Sequence, residues 1–195
     1  MPFPLTPPET SEYAPFYGRY ISSVTSSDLR RVLATQPEAL RVACAGLSEA
    51  GSLYRYAEGK WSVKEVVGHV ADAEQVFAYR ALRIARGDTT PLAAFDENAY
   101  VAAADFDRRP LGDLVDAFDT VRRQTLALLA GLDEEAWERT GTASGHGIST
   151  RALFHICAGH ARHHIRLLAS RYDLPVPAGE VEGDEASPST PAAHG

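Results

Sequence analysis

A serine and a glutamate three residues apart, Ser62 and Glu65, open the most tightly specified segment of this chain. A hydroxyl just before a helix accepts a bond from the third helical N–H, and a glutamate at that third position reaches back to the cap's own N–H, so the pair marks a helix start. Behind it Val63, Val66, Val67, Val70, Ala73, Val76, Phe77, Leu82 and Ile84 recur at helical spacing, and Gly87 is a C-terminal stop. An amphipathic helix of about 24 residues cannot bury its apolar stripe alone. It needs partners of similar length.

The rest of the chain supplies them. A helix start around Ser26, Ser27 and Asp28 precedes Leu29, Val32, Leu33, Leu40, Ala43 and Leu47, with Pro37 expected to kink or restart the run. Pro110 opens a third pattern through Leu111, Leu114, Val115, Phe118, Val121, Thr125, Leu128 and Leu129 to Gly131, and Ser149 caps a fourth that ends near Tyr172. Between the second and third patterns the connection is long, and Asp96 is placed to cap a short helix there, running to Ala104. Asp133 to Arg139 reads as one turn anchored by Trp137, and Gly141 to Gly147 as a glycine-rich loop. Four long helical patterns without an alternating strand predict an all-α four-helix bundle, with a long crossover connection between helices 2 and 3. The bundle domain is expected over 26–174. It follows an extended N-terminal arm over 1–25, pinned by Tyr13, Phe16, Tyr17 and Tyr20, and precedes a disordered C-terminal tail over 175–195.

Composition narrows the function. A net charge of −7 on 195 residues argues against a general nucleic-acid binder, which needs a basic surface. The absence of a run of ~18 apolar residues argues against a membrane span, so a cytoplasmic protein is the expectation. Cys44 and Cys157 are far apart inside apolar helical patterns and read as buried thiols, with a disulfide or a reactive role as the alternatives.

Chemistry concentrates in Gly159-His160-Ala161-Arg162-His163-His164. His160 and His164 are four residues apart, so on a helix they stand one turn apart on one face and can reach one metal ion. Outside the fourth helix, the histidine set in a helical apolar pattern is His69, which makes it the natural third ligand. Glu65 and Asp72 flank it on nearly the same face, where a carboxylate can orient a ligating ring or take a proton. At about 100° per residue, His155 and His163 fall off the face shared by His160 and His164 and should point elsewhere. The alternative keeps these histidines as hydrogen-bonded core or surface residues. His146 lies in a loop, facing substrate or solvent, and His194 lies in the tail. Arg80, Arg83 and Arg86, with Tyr79 among them, form either a solvated face that complements the helix end or an anion clamp.

The segments Arg55-Tyr56-Ala57, Lys60-Trp61-Ser62-Val63-Lys64-Glu65-Val66-Val67-Gly68-His69-Val70-Ala71-Asp72 and Ala158-Gly159-His160-Ala161-Arg162-His163-His164 resemble those of the DinB/YfiT-like metalloenzyme superfamily. Trp-Ser-x-x-Glu-x-x-x-His paired with a later Gly-His-x-x-His-His is more specific than either piece. The resemblance implies a four-helix bundle whose divalent metal, zinc or nickel, is held by His69, His160 and His164. It further implies a thiol S-transferase using a low-molecular-weight thiol of the bacillithiol or mycothiol type on a small electrophile. A hydrolase with metal-activated water and a non-catalytic metal-binding stress-response protein are its alternatives, and a homodimer is compatible with it. Relatives often carry Glu after Gly-His, where this chain has Ala161. A metal with an open position would activate thiol or water without a protein nucleophile, and the chain offers no nucleophile elbow, phosphate loop or dinucleotide fingerprint.

Overall fold

A computed structural model describes residues 4–24 and 29–181. The helix start expected at Ser26 to Asp28, His194 and the tail from 182 onward lie outside the described residues. The long helices are α2 (Leu29–Cys44), α3 (Val63–Ala85), α5 (Leu111–Ala130) and α7 (Thr150–Tyr172); the short ones are α1 (Gly18–Ile21), α4 (Glu97–Ala104), α6 (Glu134–Glu138) and α8 (Ala178–Val181). α2 and α3 each pack on both α5 and α7, which places α2 and α3 at opposite corners of a four-helix bundle.

The local signals act as expected. Ser62 and Glu65 form the reciprocal capping box of α3. Asp96 accepts from the N–H groups of Asn98 (2.9 Å) and Ala99 (3.1 Å) to start α4 inside the long connection, and Ser149 accepts from Ala152 N–H (3.1 Å) to start α7. Trp137, 1% exposed, anchors α6 in the core.

Pro37 neither breaks nor restarts α2, which is one helix across it. Its missing N–H leaves the Leu33 carbonyl without its helical donor. Arg122 Nη1 takes that place, donating to Leu33 O (2.8 Å) and to Gln36 Oε1 (2.7 Å). The guanidinium's charge is met by Glu74, which accepts from Nε (2.6 Å) and Nη2 (2.5 Å) in a wholly buried pair. One ion pair thus links α2, α3 and α5.

Three further expectations need correction. Residues 141–147 belong to an antiparallel hairpin, β1 (Thr140–Ala143) with β2 (His146–Ser149), rather than a loop. Its turn is closed by Ser144 and Gly145 at positive φ, and its Ala143 bridges Leu92, so tertiary pairing supplies what the short strands lack in apolar pattern. The N-terminal arm is not extended: residues 10–12 and 15–17 form 3-10 turns and α1 follows. Tyr13, Tyr17 and Tyr20 pack inward, whereas Phe16 is 49% exposed. Residues 178–181, assigned to the disordered tail, wind into α8, because buried Glu180 accepts from Arg162 Nε (3.1 Å) and pairs with it.

Candidate metal centre

Both helices that carry the histidines admit a close neighbour beside the ligand. Gly68 precedes His69, and a Cβ on it would lie 2.5 Å from the Phe106 ring; Gly159 precedes His160, and a Cβ there would lie 2.0 Å from the Tyr20 carbonyl oxygen. The repeated Gly-His pair is therefore a packing device. It lets Phe106 lie on α3 and the α1 backbone lie on α7.

At the junction of α3 and α7, one ring nitrogen from each of His69, His160 and His164 lies within 4.8 Å of the others. His69 Nε2 and His160 Nε2 are 3.1 Å apart. Two nitrogens bound to one tetrahedral zinc at the usual ~2.05 Å stand about 3.3 Å apart, so these rings are spaced for a shared ion. The three residues are 4%, 5% and 7% exposed. Burial, reinforced by the charge of His163, pulls the His69 pKa down to about 4. Burial also holds His160 and His164 well below the ordinary imidazole range, with smaller contributions from the neighbouring histidines. All three are neutral at pH 7, the protonation state a ligand requires. His164 Nδ1 is buried without a hydrogen-bond partner among the described residues. A neutral hydrogen bond between His69 and His160 would satisfy two of the rings and leave the third, His164, with its orphaned Nδ1. The donor set fits a divalent metal.

Aromatic rings wall the centre. Trp61 lies 4.7 Å from His69 between ring centroids, Tyr20 5.4 Å and Phe77 5.5 Å from His160. Tyr172 fixes Trp61 by donating to its carbonyl (2.6 Å).

The other sequence-predicted residues separate clearly. His163 is exposed, edge-on to Tyr20 and His164. His155 is buried elsewhere in the core, its Nδ1 2.9 Å from the Arg151 carbonyl. His146 is exposed on β2 beside Phe16. The Glu65 carboxylate accepts from Ser62 N–H (2.8 Å) and pairs with Arg55. Asp72 is partly exposed, and burial raises its pKa against the opposing charge of Arg109. Neither carboxylate belongs to the histidine group. Both cysteines are buried and free, their thiol pKa values raised by burial.

The arginine trio does not act as one face. Arg83 pairs with Asp88 and Tyr79, Arg86 is exposed, and Arg80 is buried. Leu82, expected inward, is 41% exposed. Phe77, Arg80, Ala81 and Ile84 share the helical stripe, a spacing that could have flagged Arg80 and excluded Leu82. No local spacing relates Tyr20 and Phe77 to His160, so nothing in the sequence marks them as its neighbours.

Four long helices around a buried, neutral tri-histidine pocket define the class: a helical bundle with a candidate metal centre between two of its helices. The chain belongs to the DinB superfamily, whose model matches residues 33–168. It is 29% identical over 136 residues to a Geobacillus kaustophilus protein named "Putative metal-dependent hydrolase GK0616", covering 69% of this chain and 76% of that one. It is 30% identical over 133 residues to a Bacillus licheniformis protein also named as a metal-dependent hydrolase of that kind, covering 66% and 74%. Among solved structures it is similar to YfiT from Bacillus subtilis, described as a probable metal-dependent hydrolase with an unusual four-helix bundle topology. There the TM-score is 0.63 at 20% identity, covering 87% of this chain and 98% of that one. It is also similar to a mycothiol-dependent maleylpyruvate isomerase, with TM-score 0.61 at 13% identity, covering 75% and 61%. At these identities the structural likeness carries the fold. Among the described residues no helix is long and apolar enough to cross a membrane.

Proposed function

We propose that this chain is a metal-dependent enzyme in which His69, His160 and His164 hold a divalent ion, zinc or nickel, and a low-molecular-weight thiol of the bacillithiol or mycothiol type is transferred to a small electrophile. The observation that carries the metal site is the convergence of three buried neutral imidazoles with one ring nitrogen each inside 4.8 Å. An ion held by these three imidazoles would supply Lewis acidity and would lower the pKa of a thiol or water bound to it.

The chain's own residues do the rest. The imidazoles bring no negative charge, so they would leave the full charge of a bound ion for the incoming group. Trp61, Tyr20 and Phe77 exclude water from the histidines and offer apolar surface to the electrophile. No side chain need act as nucleophile, since Cys44 and Cys157 are buried thiols. Asp72, three residues beyond His69, is the proposed proton acceptor; Glu65, committed to the cap and Arg55, positions the start of α3. The similarity to a mycothiol-dependent isomerase supports thiol transfer. The hydrolase names of the relatives favour a second reading, with water as nucleophile in the same centre.

Metal analysis of the purified protein tests the centre. One divalent ion per chain is expected, lost in His160→Ala and retained in His163→Ala; equal stoichiometry in both variants refutes it. Transferase assays of the loaded protein with bacillithiol, mycothiol and glutathione on a common electrophile then separate the readings. Turnover without added thiol points to hydrolysis.

A further inference from the structure

Arg80 is 2% exposed, yet no carboxylate among the described residues lies within ion-pair distance of it. Its Nη2 donates to the Ala93 carbonyl (2.7 Å) and to Ser144 Oγ (3.0 Å). Its Nη1 is buried and has no hydrogen-bond partner among the described residues. The two buried arginines therefore differ in kind, because Arg122 has all of Glu74 to meet its charge. A buried cation without a counter-charge is costly, and an anion is the simplest complement for it.

The surroundings say which anion. The Arg80 guanidinium lies over Phe95 (5.7 Å), Phe95 meets Phe77 (6.4 Å), and Phe77 meets both Tyr17 (6.2 Å) and His160 (5.5 Å). Two aromatic rings, Phe95 and Phe77, thus link Arg80 to the histidines. Tyr17, half-buried and edge-on to Phe77, brings a phenol to the same side of the bundle, where the charge of Arg80 opposes the upward push of burial on its pKa. Ser144 is held in the left-handed region at φ 53° by the hairpin turn, and its N–H is bonded to the Leu92 carbonyl (3.0 Å), so its hydroxyl is fixed toward Arg80. A single guanidinium with neutral hydroxyls and apolar walls suits a singly charged planar anion. A phosphate dianion would need a second cation, and Arg83 is already paired with Asp88. Glu97, whose charge is felt at Tyr17 and Tyr20, is exposed and disfavours a higher negative charge nearby.

We infer that Arg80, with Tyr17, binds the carboxylate of the small molecule that reacts at the histidine centre, placing its other end beside His160 past Phe77. The carboxylate belongs either to the electrophile or to the thiol. The inference rests on the proposed reacting centre, and it makes Arg80 a determinant of specificity for acids.

Equilibrium binding to the metal-loaded full chain, measured calorimetrically, tests it with two matched pairs: 3-phenylpropanoate against 3-phenylpropanamide, and N-acetylcysteine against N-acetylcysteine amide. The acid is expected to bind at least tenfold tighter than its amide in one pair, which identifies the source. Arg80→Gln should reduce that preference to within twofold, and Arg80→Lys should keep part of it. The full chain stripped of metal by a chelator should keep the preference for 3-phenylpropanoate over its amide, so failure of the metal centre is distinguishable from failure of this inference. Should Arg80→Gln not fold, Tyr17→Phe decides, since it deletes one hydroxyl from a half-buried ring and is expected to weaken the acid three- to tenfold. No acid preference in either pair, or one unchanged in folded Arg80→Gln or in Tyr17→Phe, overturns the inference.

Discussion

Substituting Gly159 by alanine tests whether the arm is packed onto the site or merely lies near it. The added Cβ would stand 2.0 Å from the Tyr20 carbonyl oxygen, with the Tyr20 carbonyl carbon at 2.5 Å and Cα at 2.8 Å, whereas real contacts stay beyond 3.0 Å. All three obstacles are backbone, so α1 must move off α7 by about 1 Å, and overpacking of that kind costs roughly 1–3 kcal/mol. Against this, alanine in a helix interior gains up to about 1 kcal/mol over glycine. Taking the upper end of the clash, the net loss is about 2 kcal/mol. For a chain of this size that lowers Tm by roughly 4–8 °C. Gly112 in α5 has nothing within 4 Å of its virtual Cβ, so Gly112→Ala carries the propensity gain alone and should raise Tm slightly. Thermal unfolding followed by circular dichroism measures both. The displacement would also draw Tyr20 from His160, so arm cleavage in limited proteolysis should accelerate in Gly159→Ala. Equal Tm values for the two glycine variants would refute the claimed backbone contact.

Two further perturbations probe the supports of the fold. Glu74→Gln leaves the Arg122 charge buried and uncompensated; breaking such a pair costs about 3–5 kcal/mol, and the amide's remaining acceptor puts this variant near 3. Urea unfolding showing a loss below about 1 kcal/mol would count against that role for the pair. Glu12, where burial raises the carboxyl pKa but bonds from Arg151, Ser149 and the Glu9 backbone together outweigh it, is brought down to about 2. A depressed carboxyl stabilises the fold above its unfolded value of about 4.5 and loses that contribution as pH falls toward 2. Glu12→Gln should accordingly have a lower Tm than the parent at pH 6, with the gap closing by pH 2; a gap independent of pH would contradict the assignment.

What could be read in the sequence, and what could not, follows from how far each interaction reaches along the chain. Ser62 with Glu65, Asp96 and Ser149 act on backbone donors two or three residues away, and each starts the helix expected of it. His160 and His164 converge because helical geometry alone relates residues four apart. His69 joins them across 91 residues, yet it was identifiable, because a histidine inside a helical apolar stripe must face the bundle interior. The same rule applied to Arg80 fails only if charge is assumed to override position. Arg80 is three residues from Phe77 and four from Ile84, so helix phase buries it whatever its charge, while Leu82 leaves the stripe and is exposed. The hairpin and the winding of the arm had no comparable signal. β1 and β2 are held by each other and by Leu92, and the arm is held by Gly159 and Arg151, partners that no local periodicity brings into view. The helical framework is therefore local in origin and the enclosure of the site is tertiary. That division explains why the three clustered histidines could be named from the sequence, while Tyr20 and Phe77, which pack against His160, needed the folded chain.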